Sequence, residues 1–206
     1  MDANLLVFFY LFLRLAPFIL TCFFTLTSII NSDFKGIIYL AGVVLASVFT
    51  MLFSNLPLVN TLTRPPNSPE ICRLFSFGQL DNVNALPIGQ TMLTFTFAYL
   101  LYPIIHHSIA GSNTITIIFF SALILGDFIW NLKNSCYNIY QLIISAGIGA
   151  GGGVLWAHIV SNSAKHMDRL YFSAVSDREV CEKPSKSTFK CNVYKNGKLL
   201  SRKVVD

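Results

Sequence analysis

Charge is what this sequence has least of. Only 12% of its 206 residues are Asp, Glu, Lys or Arg, where soluble domains run near about 25%. A chain with so little charge, 53% apolar residues and a mean hydropathy of +0.58 lacks the polar surface that a single soluble domain of this size needs. Disorder is excluded from the other side, because aromatic residues make up 14% of the chain and 18 of them are Phe. Other shortages exclude particular chemistries. Five cysteines, an odd number, do not complete a disulfide framework. No N-glycosylation sequon is present, since Asn67-Ser68-Pro69 lacks the hydroxyl at its third position. The glycine cluster of Gly147, Gly149, Gly151, Gly152 and Gly153 is followed by no Lys-Ser/Thr, so it is not a phosphate loop. No His stands at zinc-like spacing from Cys181 and Cys191, and no metal or cofactor is expected.

What is present is a set of long apolar runs. Five stretches, Ala3–Ile30, Ile37–Leu56, Gln90–Ile105, Thr114–Trp130 and Ile139–Val160, hold half the chain. Each is near the roughly 17–25 residues that cross a bilayer as a helix. The expected fold is therefore all-α, a polytopic transmembrane bundle over residues 1–160. A polar tail over 161–206 follows, in which Asn196-Gly197 predicts a β-hairpin turn. The first run contains Arg14 and Pro17 and reads as one kinked helix rather than a re-entrant pair. It does not read as a cleaved signal peptide, because Asp2 precedes it and no small-residue cleavage site follows. Arg14 either snorkels to an interface or pairs with Asp127. The glycines at 147/151 and 149/153 give two G-x-x-x-G spacings, which suit close helix packing in lipid.

The net charge of +5 resides in the tail, which carries ten Lys/Arg and five Asp/Glu, while the body is neutral. Basic residues favour the cytoplasmic side. The tail is thus expected in the cytoplasm, and the N-terminus, the long Pro-rich connection Pro57–Gly89 and the turn Asn131–Asn138 on the opposite side. Charge of this kind is topological, and no nucleic-acid partner is expected. His106, His107, His158 and His166 fall near the cytoplasmic face and read as solvated interfacial residues. Cys72 and Cys136 fall on the opposite face, where an oxidising compartment would let them pair. For Cys181 and Cys191 the reading is a reduced pair.

Several residues at the non-cytoplasmic ends of the runs form an ordered series. These are Arg64-Pro65, then Pro87-Ile88-Gly89-Gln90 opening the third run, then Asn131, Lys133 and Tyr137, with Gln141 opening the fifth. The layout resembles the type 2 phosphatidic acid phosphatase (PAP2) superfamily over roughly Leu56–Val160, and within it the dolichyl-diphosphatase-like members. That family has a basic stretch ending Arg-Pro, a Pro-Ser-Gly-His opening a helix, and a Ser-Arg with a His six residues after the Arg. The Cys72–Pro87 loop also resembles the equivalent loop in PAP2-like proteins of large DNA viruses. The resemblance implies a membrane helical bundle with a phosphate site at one end, in an endomembrane or a virion membrane.

The departures from the pattern are chemical. The serine and histidine of the second motif are Ile88 and Gln90, the arginine of the third is Asn131, and its nucleophilic histidine is Tyr137. Imidazole serves as nucleophile and proton donor because its pKa lies near neutrality. Glutamine cannot donate an acid proton, and a phenol of pKa about 10 is a poor nucleophile without a base beside it. The resemblance therefore implies a non-catalytic member. Its residual headgroup site would comprise Arg64, Pro65, Gly89, Gln90, Asn131, Lys133 and Tyr137, with membrane lipids and other membrane-protein subunits as partners. The rival expectation is an active lipid-phosphate or polyprenyl-diphosphate phosphatase whose catalytic set is displaced. An unrelated five-span scaffold is the third.

Overall fold

The computed structural model describes residues 5–56, 59, 72, 86–106, 110–163, 189–195 and 198–205. Five long α-helices run in order: α1 Leu5–Ile30, α2 Lys35–Ser54, α3 Ile88–His106, α4 Thr114–Lys133 and α5 Ile139–Ser163. A short 3₁₀ turn, Ala110–Asn113, leads into α4. All five helices are long and apolar enough to cross a membrane, as the apolar runs predict. Residues 1–174 form one compact unit and residues 175–206 a second. The last span continues to Ser163. In the second unit, β1 Phe189–Lys195 pairs antiparallel with β2 Lys198–Val205. The expected turn residues Asn196 and Gly197 lie outside the described residues.

The apolar content of α1, α2, α4 and α5 points outward. Phe23, Leu26 and Ile29 on α1, Val44, Val48 and Leu52 on α2, Ile118 and Leu125 on α4, and Ile143 and Leu155 on α5 are all exposed. Helix α3 is the opposite case. Its only exposed large apolar residue is Ile105, near its end, and its span has the lowest hydropathy and the greatest burial of the five. It can therefore carry Gln90, Thr91, Thr94 and Thr96 buried along its length. Side chains like these are expensive in hydrocarbon, and the enclosing helices remove that exposure.

Small residues let the helices close on α3. A Cβ on Gly149 would collide with Thr94 Oγ1 and the Thr91 carbonyl. One on Gly153 would meet the Phe95 carbonyl oxygen at 2.5 Å, and one on Gly42 would meet Trp156 at 2.5 Å. The 149/153 spacing is thus the face of α5 that packs on α3. Gly147 and Gly151 have no atoms within 4 Å of their Cβ positions and look away from the bundle. Around this contact Phe24, Tyr39, Val43, Ala46, Phe95, Tyr99, Phe120, Ala157 and Val160 form the main core.

Hydrogen bonds between helices fix the register. Tyr39 Oη lies 2.6 Å from Thr96 Oγ1, joining α2 to α3. Trp156 Nε1 donates to the Ile38 carbonyl at 3.0 Å, joining α5 to α2. The α1–α2 turn is closed by Ser28, whose hydroxyl donates to Asp33 Oδ1 at 2.7 Å and accepts from the Gly36 amide at 3.0 Å. Gly36 is required there, because a Cβ would lie 2.5 Å from Ser28 Cβ and from the Phe24 carbonyl oxygen.

These contacts predict a split among the four glycines. Gly149→Leu or Gly153→Leu overpacks the α3–α5 seam and is expected to cost about 1–3 kcal/mol. The same change at Gly147 or Gly151 is expected to leave stability unchanged. Thermal unfolding of the purified variants in detergent distinguishes the pairs, and equal losses at all four positions would contradict the assignment.

Candidate functional site

One end of the bundle gathers most of the polar residues singled out above. It is built from the first turns of α3 and α5, the last turns of α4 and the first half of α1. Pro17 of α1 lies against Gly89, 3.6 Å from its Cβ position, and Leu13 lies 3.3 Å from that of Gly126 on α4. Ser145 of α5 donates to the Pro87 carbonyl at 2.6 Å, just before α3 begins. Its hydroxyl also lies 2.7 Å from Thr91 Oγ1, and Thr50 of α2 reaches Thr91 at 3.3 Å. These hydroxyls clamp the start of α3 between α2 and α5.

A disulfide closes the same end. Cys72 and Cys136 are bonded, with Cα atoms 5.6 Å apart and 64 residues between them in sequence. Both sulfurs are buried in a cluster with Tyr137 and Leu142, against Phe128 and Leu132. The bond ties the long connection to the α4–α5 turn, where Ser135 takes a positive φ of 51° and the Cys136 amide donates back to the Asn131 carbonyl at 3.0 Å. Of the two alternatives open for this cysteine pair, the bonded form is the one present.

The named positions differ sharply in how much hydrogen-bonding capacity remains to them. Asn131 is buried and donates through Nδ2 to the Asp127 carbonyl at 2.8 Å. Gln141 is buried, and its Oε1 accepts from the Asn138 amide at 2.8 Å. The Gln three residues into a helix thereby satisfies the backbone of the residue that starts it, a capping-box arrangement. Tyr137 stands 2% exposed in the apolar cluster around the disulfide. Lys133 is exposed at the end of α4. Arg64 and Pro65 lie outside the described residues. Gly89 is not demanded by packing, since a Cβ there would make only an ordinary contact.

Gln90 is different. It is 1% exposed, and both its amide nitrogen and its amide oxygen are buried with no hydrogen-bond partner among the described residues. An unsatisfied buried polar group costs about 1–3 kcal/mol, and native structures hold few of them. Gln90 occupies the first turn of α3, where backbone amides lack intrahelical partners and favour anions. A helical side chain also leans towards its own helix N-terminus. An amide with two donors and an acceptor unused therefore stands at the one helix start with an anion-favouring dipole at the centre of the bundle.

Arg14 and Asp127 form the second polar feature. Arg14 acts electrostatically on Asp127, and the Asn131 side chain is within hydrogen-bonding reach of the carboxylate. That interaction is in line with the pairing alternative for Arg14.

The opposite end has a separate polar group. Tyr102 Oη lies 2.9 Å from His158 Nδ1, Asn162 Nδ2 lies 3.1 Å from His158 Nε2, and His106 packs near the Tyr102 ring. His106 and His158 are exposed. His107 and His166 lie outside the described residues, as do Cys181 and the partner question it raises with Cys191. Among the described residues no group of three His, Cys, Asp or Glu side chains could hold a metal ion.

Sequence reading missed the hydroxyl clamp of Thr50, Thr91 and Ser145, since isolated Ser and Thr in an apolar run give no sign of which face they occupy. The capping role of Gln141 was readable from Asn138-x-x-Gln141. No family model matches the chain, and no curated protein or solved structure is significantly similar to it.

Removing one member of the Arg14–Asp127 pair leaves a charge without its partner in an enclosed setting. Arg14→Gln is expected to lower stability in detergent by about 2–4 kcal/mol. Adding Asp127→Asn to it is expected to restore most of the loss, so a double variant as unstable as the single one would show the two charges to be uncoupled.

Proposed function

We propose that the chain is a PAP2-like integral membrane protein without catalysis, which binds a lipid phosphate headgroup at the α3 end and serves as a lipid-binding or structural subunit of a membrane assembly. The observation that carries this reading is the buried, unpartnered amide of Gln90 at the first turn of the central helix. In the family pattern that position belongs to an acid–base histidine. A glutamine in its place keeps the capacity to hydrogen-bond phosphate oxygens and lacks a proton to give to a leaving group.

The other two family positions support the same reading. Tyr137, at the nucleophile position, is enclosed by the disulfide and by Leu142, Phe128 and Leu132. Asn131, at the position of the phosphate-clamping arginine, already donates its amide to the Asp127 carbonyl. Where the family needs three reactive or charged side chains, this chain has one spare amide and two structural residues. Arg64 and Lys133 supply the cationic complement in this proposal, and Gly89 gives the backbone room beside the headgroup.

Two independent arguments support an orientation for this proposal. A disulfide persists in an oxidising compartment, which favours the lumenal or external side for the Cys72–Cys136 end. The basic tail beyond α5 then leaves on the cytoplasmic side, in line with the distribution of Lys and Arg.

Three measurements test the proposal. Purified protein in nanodiscs is expected to release no phosphate from phosphatidic acid or a prenyl diphosphate, and vanadate-sensitive turnover would refute it. Phosphatidic acid is expected to raise the unfolding temperature by about 2–4 °C over phosphatidylcholine, an effect lost in Gln90→Leu; an unchanged shift in that variant would remove Gln90 from the site. In sealed vesicles, protease is expected to reach either the tail or the disulfide end but not both, with the disulfide end protected when the cytoplasmic face is outermost.

A further inference from the structure

Four helices stand around α3 in the order α4, α1, α2, α5. Each packs on α3, and each packs on the next in that order. Among the described residues α4 and α5, the two ends of the series, do not pack along each other, so the ring around α3 is open between them. The opening is closed at one end. There Phe128 and Leu132 of α4 pack on the cluster that holds Tyr137, Leu142 and the disulfide.

Gln90 belongs to the α3 face that lines this opening. Residues 90, 94, 97 and 101 share one face of a helix. Thr94 lies against the Gly149 position of α5, and the Phe97 ring stacks on Phe120 of α4 with centroids 6.2 Å apart. That face therefore points between α4 and α5. Exposure grows along it, away from the closed end. Gln90 is 1% exposed and Thr94 6%, Phe97 and Leu101 are partly exposed, and Ile105, beside the same face, is 64% exposed. The α5 border carries small side chains. Gly152 and Trp156 turn one flank of α5 to α2, which leaves Ala146 and Ala150, both partly exposed, on the flank beside the opening. The Thr94 hydroxyl donates to the Gln90 carbonyl at 2.8 Å. The Gln90 amide, with no partner among the described residues, thus stands at the closed head of an apolar groove.

Resting on the reading that a lipid phosphate sits at Gln90, we propose that a hydrocarbon chain of the same lipid lies in the groove between α4 and α5, over Phe97 and Leu101 and beside Ala146 and Ala150. The ligand is then an intact membrane lipid that enters sideways from the bilayer. The dimensions agree. Gln90 and Leu101 are eleven residues apart, a rise of about 16 Å. That is close to half of the roughly 30 Å hydrocarbon core. A lipid of the leaflet at the disulfide end holds its headgroup at Gln90 and runs its chain along the groove to the membrane midplane. A partner's transmembrane helix suits the groove less, because it must cross the whole core and the packed turn between α4 and α5 blocks the disulfide end. A water-soluble phosphate would use Gln90 and gain nothing from the apolar walls.

Photolabelling of the full chain in phosphatidylcholine nanodiscs tests this. The probe is phosphatidic acid with a diazirine at mid-chain, and the signal is the labelling removed by excess unlabelled dioleoyl phosphatidic acid. It is expected at Phe97, Leu101 and Ala150, and not at Val44, Val48 or Leu52, which are exposed on α2. Dihexanoyl phosphatidic acid and inorganic phosphate are expected to compete at least about tenfold more weakly, because they lack the long chain. Leu101→Trp and Ala150→Trp fill the groove from two walls and are expected to abolish the signal, while Val44→Trp keeps it; thermal unfolding shows that each variant is folded. Competed labelling on the outer face of α2, or a signal unchanged in both groove variants, would overturn the groove and leave the headgroup reading standing. Equal competition by inorganic phosphate would overturn it too, as would Leu101→Cys chains that cross-link to each other through that residue and so put a second copy in the opening. In Gln90→Leu the signal is expected to fall, and groove labelling at full strength in that variant would overturn the headgroup reading alone.

Discussion

Hydrocarbon offers no partner to a polar group, and the arrangement of this bundle follows from that. Thr91, Thr94, Thr96 and Gln90 stand on one helix, α3, so α3 must be kept from lipid by its neighbours. The other helices do this by turning their large apolar residues outward and their small ones inward. Gly149, Gly153 and Gly42 bring α5 and α2 close enough to enclose it. The threonine hydroxyls then find partners on those same helices, as Thr96 does with Tyr39 and Thr91 with Ser145. Packing and polar satisfaction support each other here. Neither survives alone, because close approach leaves no room for an unmatched hydroxyl and the hydroxyl has no reason to be there without it.

Gln90 is the exception to this rule, and its place gives the exception meaning. Among the described residues the other buried amides at that end of the bundle are used: Asn131 on the Asp127 carbonyl and Gln141 on the cap of α5. The same physical demand that explains the satisfied groups makes an unsatisfied one informative. An amide held without a partner among the described residues at the start of the central helix suits a ligand with polar oxygens.

Much of the architecture was legible because hydropathy reports length and lipid contact directly. The five runs became the five helices with ends moved by a few residues, since hydropathy does not register the polar capping turns at Ser28–Asp33 and Asn138–Gln141. The hairpin was legible from Asn196-Gly197 and its flanking strands. The two G-x-x-x-G spacings on α5 were indistinguishable in sequence, since a one-dimensional spacing does not say which side of the helix meets a neighbour; the structure selects 149/153. The joining of Cys72 to Cys136 depended on the path of a long connection, which no local signal determines. Gln90 stood out in sequence only as a departure from a family pattern, while its unpartnered state is a property of the packed bundle.

The most direct test is a structure of the full chain determined in nanodiscs that contain phosphatidic acid. The account predicts an intact, uncleaved headgroup whose phosphate oxygens lie within hydrogen-bonding distance of Gln90 Nε2 at the start of α3. A structure in which the Gln90 amide is satisfied by another side chain of the protein, with no lipid phosphate at that end, would contradict it.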